Sequence, residues 1–336
     1  MARGKVYNRI YNEEDWSKVN KDNKYMIEDF LEEYRQRKKK QSTIDQYFND
    51  LRILAIYILK ELDNRPFTEL SKKDFRRMNI WLQNKGMSNA RVNRLFSACR
   101  SMLTYIEDDD EWEYDNNIAK KIKGLSKEEV RDIYFLTNEQ VEKLKNELIR
   151  REDYIKALAL SLAYDSAGRR NELFQVTKES ILSGKGVTNV VVGKRGKKFP
   201  LLYFDWTKEC AKLYFEQRGE DDIPELWVTG KTNKKPVTCD TLYNWFVQMA
   251  NILQELEGKE IPFNAHSLRH SALENCSNSN PTHYILKLPQ VNRPDGFTLE
   301  ELKLYAHHSS TDTTASYLRN KDNEILGSMF GVELPQ

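Results

Sequence analysis

Cysteine is scarce in this chain of 336 residues, and the four that occur, Cys99, Cys210, Cys239 and Cys276, lie far apart. Without a CxxC pair they exclude a disulfide framework and the common cysteine zinc sites; they read as reduced, structural residues of a cytosolic protein. No apolar run approaches the roughly 20 residues a membrane-spanning helix needs, so no membrane partner is expected. The opening Met1-Ala2-Arg3-Gly4-Lys5 is basic but leads into no apolar stretch, which argues against a secretory signal and for a cytoplasmic location. Also missing are a Walker-type Gly-rich loop, an internal repeat and a low-complexity tract. Carboxylates do not gather at Mg²⁺ spacing. Adjacent His307 and His308 make a poor chelating pair, because neighbours on a helix point about 100° apart. Neither a metal nor a nucleotide cofactor is therefore expected. Net charge is only +2, too small by itself to announce a nucleic-acid partner.

What is present is an ordinary globular composition, 39% hydrophobic and 31% charged, and enough length for two domains with separate cores. Residues 24–107 read as four helices. Met26, Ile27, Phe30, Leu31 and Tyr34 repeat at helical spacing. Ser42-Thr43 offers a cap for a second helix carrying Tyr47, Leu51, Leu54, Ile58 and Leu59, which Asn64-Arg65-Pro66 breaks. Ser71 can cap a third and Ser88 a fourth. Residues 1–23 are expected to form an arm. Residues 108–135 run acidic and then basic with little periodicity, and are expected to form a linker. Thr137 and Gln140 fit a capping box that restarts helix. From 136 to 336 a mixed domain is expected. Its β-rich runs, Val187–Val192 and Lys198–Phe204, flank a Gly-Lys-Arg-Gly turn as a hairpin, and helices follow at 207–218, 238–256, 267–275, 298–306 and 311–317.

Charge is unevenly spread. Arg35, Arg37, Lys38, Lys39 and Lys40 form a basic run, which is either a solvated helix end or a phosphate contact. Later in the chain, His266-Ser267-Leu268-Arg269 is followed by His308 and, nine positions on, by Tyr317. Ahead of them stand Arg169, in Ala167-Gly168-Arg169-Arg170-Asn171-Glu172-Leu173, and Lys194, in Gly193-Lys194-Arg195-Gly196-Lys197. Each residue alone has a plain reading as surface, turn or packing. Jointly they suit one task. Arginine forks can clamp the non-bridging oxygens of a phosphodiester in its pentavalent transition state. A tyrosine can attack the phosphorus and store the bond as a phosphotyrosine. A hairpin lysine can protonate the leaving 5′-oxygen, and histidines can move the tyrosine proton or donate to the phosphate.

In these segments the chain resembles the tyrosine recombinases of the phage-integrase family. The first box resembles T-G-x-R-x-x-E-L, with Ala167 where the family usually has glycine, Arg169 as the catalytic arginine and Glu172 as a structural acid. The hairpin resembles G-K-G-x-K-x-x-x-x-P closed by Pro200, but it is shorter, so Lys197 competes with Lys194. His266-Ser267-Leu268-Arg269-His270 resembles H-x-L-R-H, Ala306-His307-His308-Ser309-Ser310 resembles L-G-H-S-S, and Thr313-Thr314-Ala315-Ser316-Tyr317 resembles T-T-x-x-Y.

The resemblance implies a mainly α fold with a small β-sheet. A helical, SAM-like core-binding domain at 24–107 and a mixed α/β catalytic domain at 136–336 would together form a C-shaped DNA clamp. It implies Arg169, Lys194, His266, Arg269, His308 and Tyr317 as catalytic residues. Arg37, Lys38, Lys39, Lys40, Arg91, Arg94 and Lys197 are the expected DNA contacts. The implied partners are double-stranded DNA at specific sites, further copies of the chain in a tetrameric synapse, and an accessory or directionality protein. Asn278 to Pro294 reads as an inserted loop. The apolar tail of Ile325, Leu326, Met329 and Phe330 either packs on its own domain or docks on a neighbour. A DNA-binding regulator that keeps the fold without recombining is the alternative function. A type IB topoisomerase, with similar chemistry, fits the two-domain layout and short tail less well.

Overall fold

The computed structural model describes residues 10–126, 133–230 and 233–318. Its chain divides into two compact units, Met1–Arg131 and Asp132–Gln336.

The first unit is helical: α1 (Glu13–Lys18), α2 (Lys21–Gln36), α3 (Gln41–Glu61), α4 (Lys72–Asn84) and α5 (Asn89–Asp108). Ser71 and Asp74 cap each other reciprocally at α4, and the Ser88 side chain accepts from Arg91 N at α5, as their sequence positions suggest. At α3 the expectation fails. Helix begins at Gln41 behind Lys40, which makes no side-chain cap, so Ser42 and Thr43 fall inside the first turn. Asp63 and Asn64, both at positive φ, end α3 ahead of Pro66. The apolar stripes meet in one core that includes Met26, Phe30, Leu51, Leu54, Phe75, Leu95 and Met102.

Parts of the expected arm and linker belong to this core. Ile10 and Val19 are buried in it, and Trp16 sets its ring edge-on to Phe48 at 5.9 Å. Tyr114, Ala119 and Ile122 are buried there too, around a 3₁₀ turn at Ile118–Lys121. Single apolar residues such as these carry no period of their own; their burial is decided by partners elsewhere in the chain.

The second unit is built around α7 (Tyr154–Ser166), whose residues from Ala157 onward are all buried. A helix apolar on every side must be covered on every side. It packs against α6 (Asn138–Arg150), capped by the expected Thr137–Gln140 box, and against α10 (Asp205–Arg218) and α12 (Ala265–Cys276). Short helices α8 (Arg170–Phe174) and α9 (Lys178–Leu182) lead to the hairpin of β1 (Val187–Val192) and β2 (Lys198–Leu202). The strands are antiparallel, with Val192 opposite Lys198 and Val190 opposite Pro200. Gly193 sits where a Cβ would lie 2.7 Å from the Phe199 ring, so the turn requires glycine there.

A second, two-residue hairpin, β3 (Val228–Thr229) with β4 (Lys235–Pro236), was too short to leave a sequence signal. It precedes α11 (Cys239–Glu257). The unit's described part closes with α13 (Leu299–Tyr305) and α14 (Thr311–Ala315).

The expected inserted loop is a built segment. Ser277 and Phe297 form a parallel bridge at its base, and a 3₁₀ turn spans Tyr284–Lys287 with Ile285 and Leu286 buried. Within α14 the helix stops at Ala315, short of the expected 317, because Ser316 and Tyr317 close a tighter turn: Tyr317 N donates to Thr314 O at 2.9 Å.

Candidate active site

Asn264 caps α12 by accepting from His266 N at 2.8 Å and Ser267 N at 3.2 Å. Helical spacing then places His266, Arg269 and His270 along one face. Arg269 is 1% exposed, and its guanidinium holds two remote backbone carbonyls: Nη1 donates to Ala167 O and Nη2 to Ala306 O at 2.7 Å. Nη2 also lies 2.6 Å from His308 Nε2. Among the described residues the Arg269 Nε–H has no partner. Burial, and then the Arg169 charge, lower its pKa to about 10, which leaves it cationic at neutral pH.

Arg169 occupies the cap position of α8. Its backbone N donates to Glu172 Oε2 at 2.8 Å and its Nη1 to Glu172 Oε1 at 3.0 Å. Glu172 is buried, and its Oε2 lies 4.0 Å from Arg269 Nη1, so one acid stands between the two arginines. Ala167, in the place of the usual glycine, takes a left-handed conformation at φ 46° as α7 ends. A side chain is strained there, which is the physical reason glycine suits the position.

His308 follows α13 and is buried. Burial, then the cations Arg269 and Arg169, lower its pKa to about 3. It is therefore neutral near pH 7. With Nε2 accepting from Arg269, its proton sits on Nδ1 and donates to Thr314 Oγ1 at 3.0 Å. Tyr317 is 9% exposed and enclosed by this group. Its ring stacks on His270 with centroids 4.2 Å apart and an 18° tilt, lies 4.8 Å from His308 and stands edge-on to His266 at 5.4 Å. The Arg269 Cζ is 5.2 Å from its centroid. His270 Nδ1 is 3.0 Å from the Tyr317 carbonyl. Burial lowers the His270 pKa to about 4, so the neutral ring donates this hydrogen bond. His266, at the exposed end of the helix, is also held below its ordinary value, by desolvation and then by Arg269 and Arg169.

The structure thus brings Arg169, His266, Arg269, His308 and Tyr317 into one cluster. Lys194 is exposed on the hairpin turn. Lys197 is the hairpin lysine that reaches the cluster's edge, donating from Nζ to His307 O at 3.3 Å; the His307 ring stacks on Phe199 at 3.9 Å. His270 is the residue whose part the sequence left open. Its signal was the four-residue step from His266, which puts it on the same face.

The remaining expected DNA contacts belong to the first unit. Lys38, Lys39 and Lys40 are exposed, and Arg37 pairs with Glu33. Arg91 and Arg94 both face the buried Asp50, at 2.5 and 3.1 Å, so part of their charge is already answered. The tail residues Ile325, Leu326, Met329 and Phe330 lie outside the described residues. Among the described residues no helix is long and apolar enough to cross a membrane, and no three His, Cys, Asp or Glu side chains are grouped to hold a metal.

A helical fold with a small antiparallel hairpin, carrying two arginines, two histidines and a tyrosine in one cluster, is the arrangement that the resemblance to tyrosine recombinases implies. The phage integrase family model matches residues 134–288 of this chain. The matched stretch stops before His308 and Tyr317, which the fold nevertheless seats on Arg269. Over 324 residues the chain is 25% identical to the SPbeta prophage-derived recombinase-like protein YomM of Bacillus subtilis (strain 168), covering 92% of this chain and 90% of that one. Its fold is similar to that of a lambda integrase(75-356) dimer bound to a COC′ core site (TM-score 0.64, 18% identity, 87% of this chain and 93% of that one). It is also similar to the Tn1549 transposon integrase in complex with transposon right end DNA (TM-score 0.63, 14% identity, 91% and 98%).

Proposed function

We propose that this chain is a site-specific DNA recombinase that cuts and rejoins strands through a 3′-phosphotyrosine on Tyr317. The observation that carries the reading is the seating of Tyr317 against His266, His270, His308 and Arg269 within one unit. In this mechanism the phenolic oxygen attacks phosphorus, and the bond to the 5′-oxygen breaks. Arg169 and Arg269 hold the non-bridging oxygens as charge builds on them. The Nε–H of Arg269, buried beside Tyr317 and without a partner among the described residues, is a donor left for the phosphate. His266, neutral and edge-on to Tyr317, is the candidate acceptor for the phenolic proton. A hairpin lysine gives the leaving oxygen its proton. The motif position favours Lys194, whereas the contact with His307 favours Lys197. The energy of the broken phosphodiester is kept in the phosphotyrosine, so rejoining needs no ATP.

The partners on this reading are double-stranded DNA at specific sites and further copies of the chain assembled on it. Arg37 and Lys38 to Lys40 supply phosphate contacts. A regulator that only binds DNA would have no use for a tyrosine enclosed by three histidines and an arginine, so the enzyme reading is preferred. The test is a nicked suicide substrate bearing the cognate site, recovered by sequencing DNA bound to the protein in its host. Wild type should give a denaturation-resistant protein–DNA adduct. Tyr317→Phe should give none while binding the same DNA. Binding without any adduct from wild type would favour the regulator.

A further inference from the structure

Asp165 is a buried acid for which the chemistry above has no use. It lies one residue before the end of α7 and four before Arg169, and it is fully buried. Four donors converge on its carboxylate. Oδ2 accepts from Phe204 N at 2.8 Å, Thr207 N at 3.3 Å and Thr207 Oγ1 at 2.6 Å; Oδ1 accepts from Tyr284 Oη at 2.6 Å. The first three lie at the start of α10, whose own cap residue, Phe204, has no side chain able to cap it. Asp165 therefore caps α10 from a different helix, and the positive end of that helix favours its charge.

Tyr284 belongs to the built segment 277–297. Trp206 N donates to its hydroxyl at 3.1 Å, and the two rings stack at 4.0 Å. Its neighbour His283 is buried, stacks on Tyr164 at 3.9 Å and donates to the Tyr164 carbonyl at 3.3 Å. Consecutive residues of the segment are thus matched to consecutive residues of α7, His283 to Tyr164 and Tyr284 to Asp165.

The same stretch of α7 touches Arg269. The Asp165 carbonyl accepts from Tyr305 Oη, and Tyr305 directly precedes Ala306. Ala306 O and Ala167 O are the two carbonyls that Arg269 grips. The two walls of the Arg269 socket, the end of α7 and the end of α13, are therefore tied to each other by Tyr305, and the first wall is anchored by Asp165 and Tyr284. A guanidinium held by backbone carbonyls goes where those carbonyls go.

We propose that Asp165, Tyr284 and Tyr305 are positioning residues for Arg269, and that segment 277–297 is a strut that sets the arginine for the strand-cleavage step. This rests on the recombinase reading above. None of the three touches the Tyr317 ring or the expected phosphate; each acts by fixing the socket.

The test uses the full chain and the nicked suicide substrate, with the single-turnover rate of adduct formation measured at saturating DNA. Tyr305→Phe and Tyr284→Phe each remove one hydroxyl and leave the ring in place, so they are preferred over Asp165→Asn, which strips a charge from the core. Each should slow adduct formation roughly three- to tenfold, the size of one missing buried hydrogen bond, with DNA affinity unchanged. The decisive arm is a double-mutant cycle with Arg269→Lys, which cannot grip both carbonyls. If the tyrosines act through Arg269, the Tyr305→Phe penalty should shrink to near onefold in the Arg269→Lys background. A penalty that multiplies in full in that background would overturn the proposal, because the hydroxyl would then serve the fold at large. Unchanged rates in both tyrosine variants would overturn it too. Absence of an adduct from wild type is a different failure, that of the recombinase reading itself.

Discussion

The two units of this chain divide their polar residues differently. The first contains no histidine, and several of its described arginines are engaged internally: Arg91 and Arg94 with Asp50, Arg35 with Glu28 and Glu32, Arg37 with Glu33. The second contains all five histidines and places four of them, His266, His270, His307 and His308, within one neighbourhood of Arg269 and the hairpin. A chain that only held DNA would need exposed cations, and the first unit has them in Lys38 to Lys40. Neutral imidazoles beside a phenol can accept and pass on its proton, which suits a site where protons move. On the proposed reading the contrast separates a gripping unit from a reacting one, and each should be open to disturbance without the other.

The largest effect should come from the reacting unit. Arg269→Ala should slow adduct formation by at least about a hundredfold to a thousandfold, on the order of 2.7–4 kcal/mol, with a far smaller drop in DNA affinity. Parallel loss of both would make Arg269 a docking residue and dissolve the distinction. Next in size, Lys197→Ala should cost roughly a hundredfold, as expected when a general acid is removed, and Lys194→Ala much less. A substrate with sulfur in place of the leaving 5′-oxygen should erase the Lys197→Ala deficit, because a thiolate leaves without a proton. Rescue of Lys194→Ala instead would return the acid to the motif position.

In the gripping unit, replacing Arg37, Lys38, Lys39 and Lys40 by alanine should flatten the salt dependence of binding, by about 0.9 in log–log slope for each phosphate that is no longer neutralised. Adduct formation at saturating DNA should be unchanged. An unaltered slope would make the run a solvated helix end.

The smallest effect is one of acidity. Burial lowers the pKa of His270 to about 4 and of His283 and His308 to about 3, from 6.5. These groups bind protons more readily unfolded, so their contribution is complete above the unfolded value of 6.5 and is lost as pH falls toward the folded values. Asp165, pushed up to about 6 by burial, acts in the opposite sense but is a single group. In the first unit Asp15, Asp74 and Glu107 have lowered pKa values, and their contribution is lost only below the ordinary carboxylate range. Moving from pH 7 to pH 5 should therefore weaken hydrogen-exchange protection in 136–318 more than in 10–126. Equal weakening of both would contradict the division.

Much of this was legible in the sequence, for identifiable reasons. Capping residues act over three positions, so Ser71, Ser88 and the Thr137–Gln140 box could be read locally. The spacing of His266, Arg269 and His270 is helical, and their shared face followed from it. What stayed hidden depended on distant partners. Ile10 and Val19 look like arm residues until the first unit's core covers them. Segment 277–297 looks like an inserted loop because His283 and Tyr284 find their partners in Tyr164 and Asp165, more than a hundred residues away. Lys194 matches the motif, whereas Lys197 is the lysine the hairpin brings to His307, a contact between residues more than a hundred positions apart.

The central claim is that Tyr317, enclosed by His266, His270, His308 and Arg269, forms the covalent bond to DNA. It is tested most directly by trapping the adduct on the nicked substrate, digesting both components and locating the remaining nucleotide by mass spectrometry. The account predicts a 3′-phosphoryl nucleotide on the Tyr317 side chain in wild type and no modified peptide in Tyr317→Phe. A nucleotide on any other residue, or a persisting adduct in Tyr317→Phe, would contradict it.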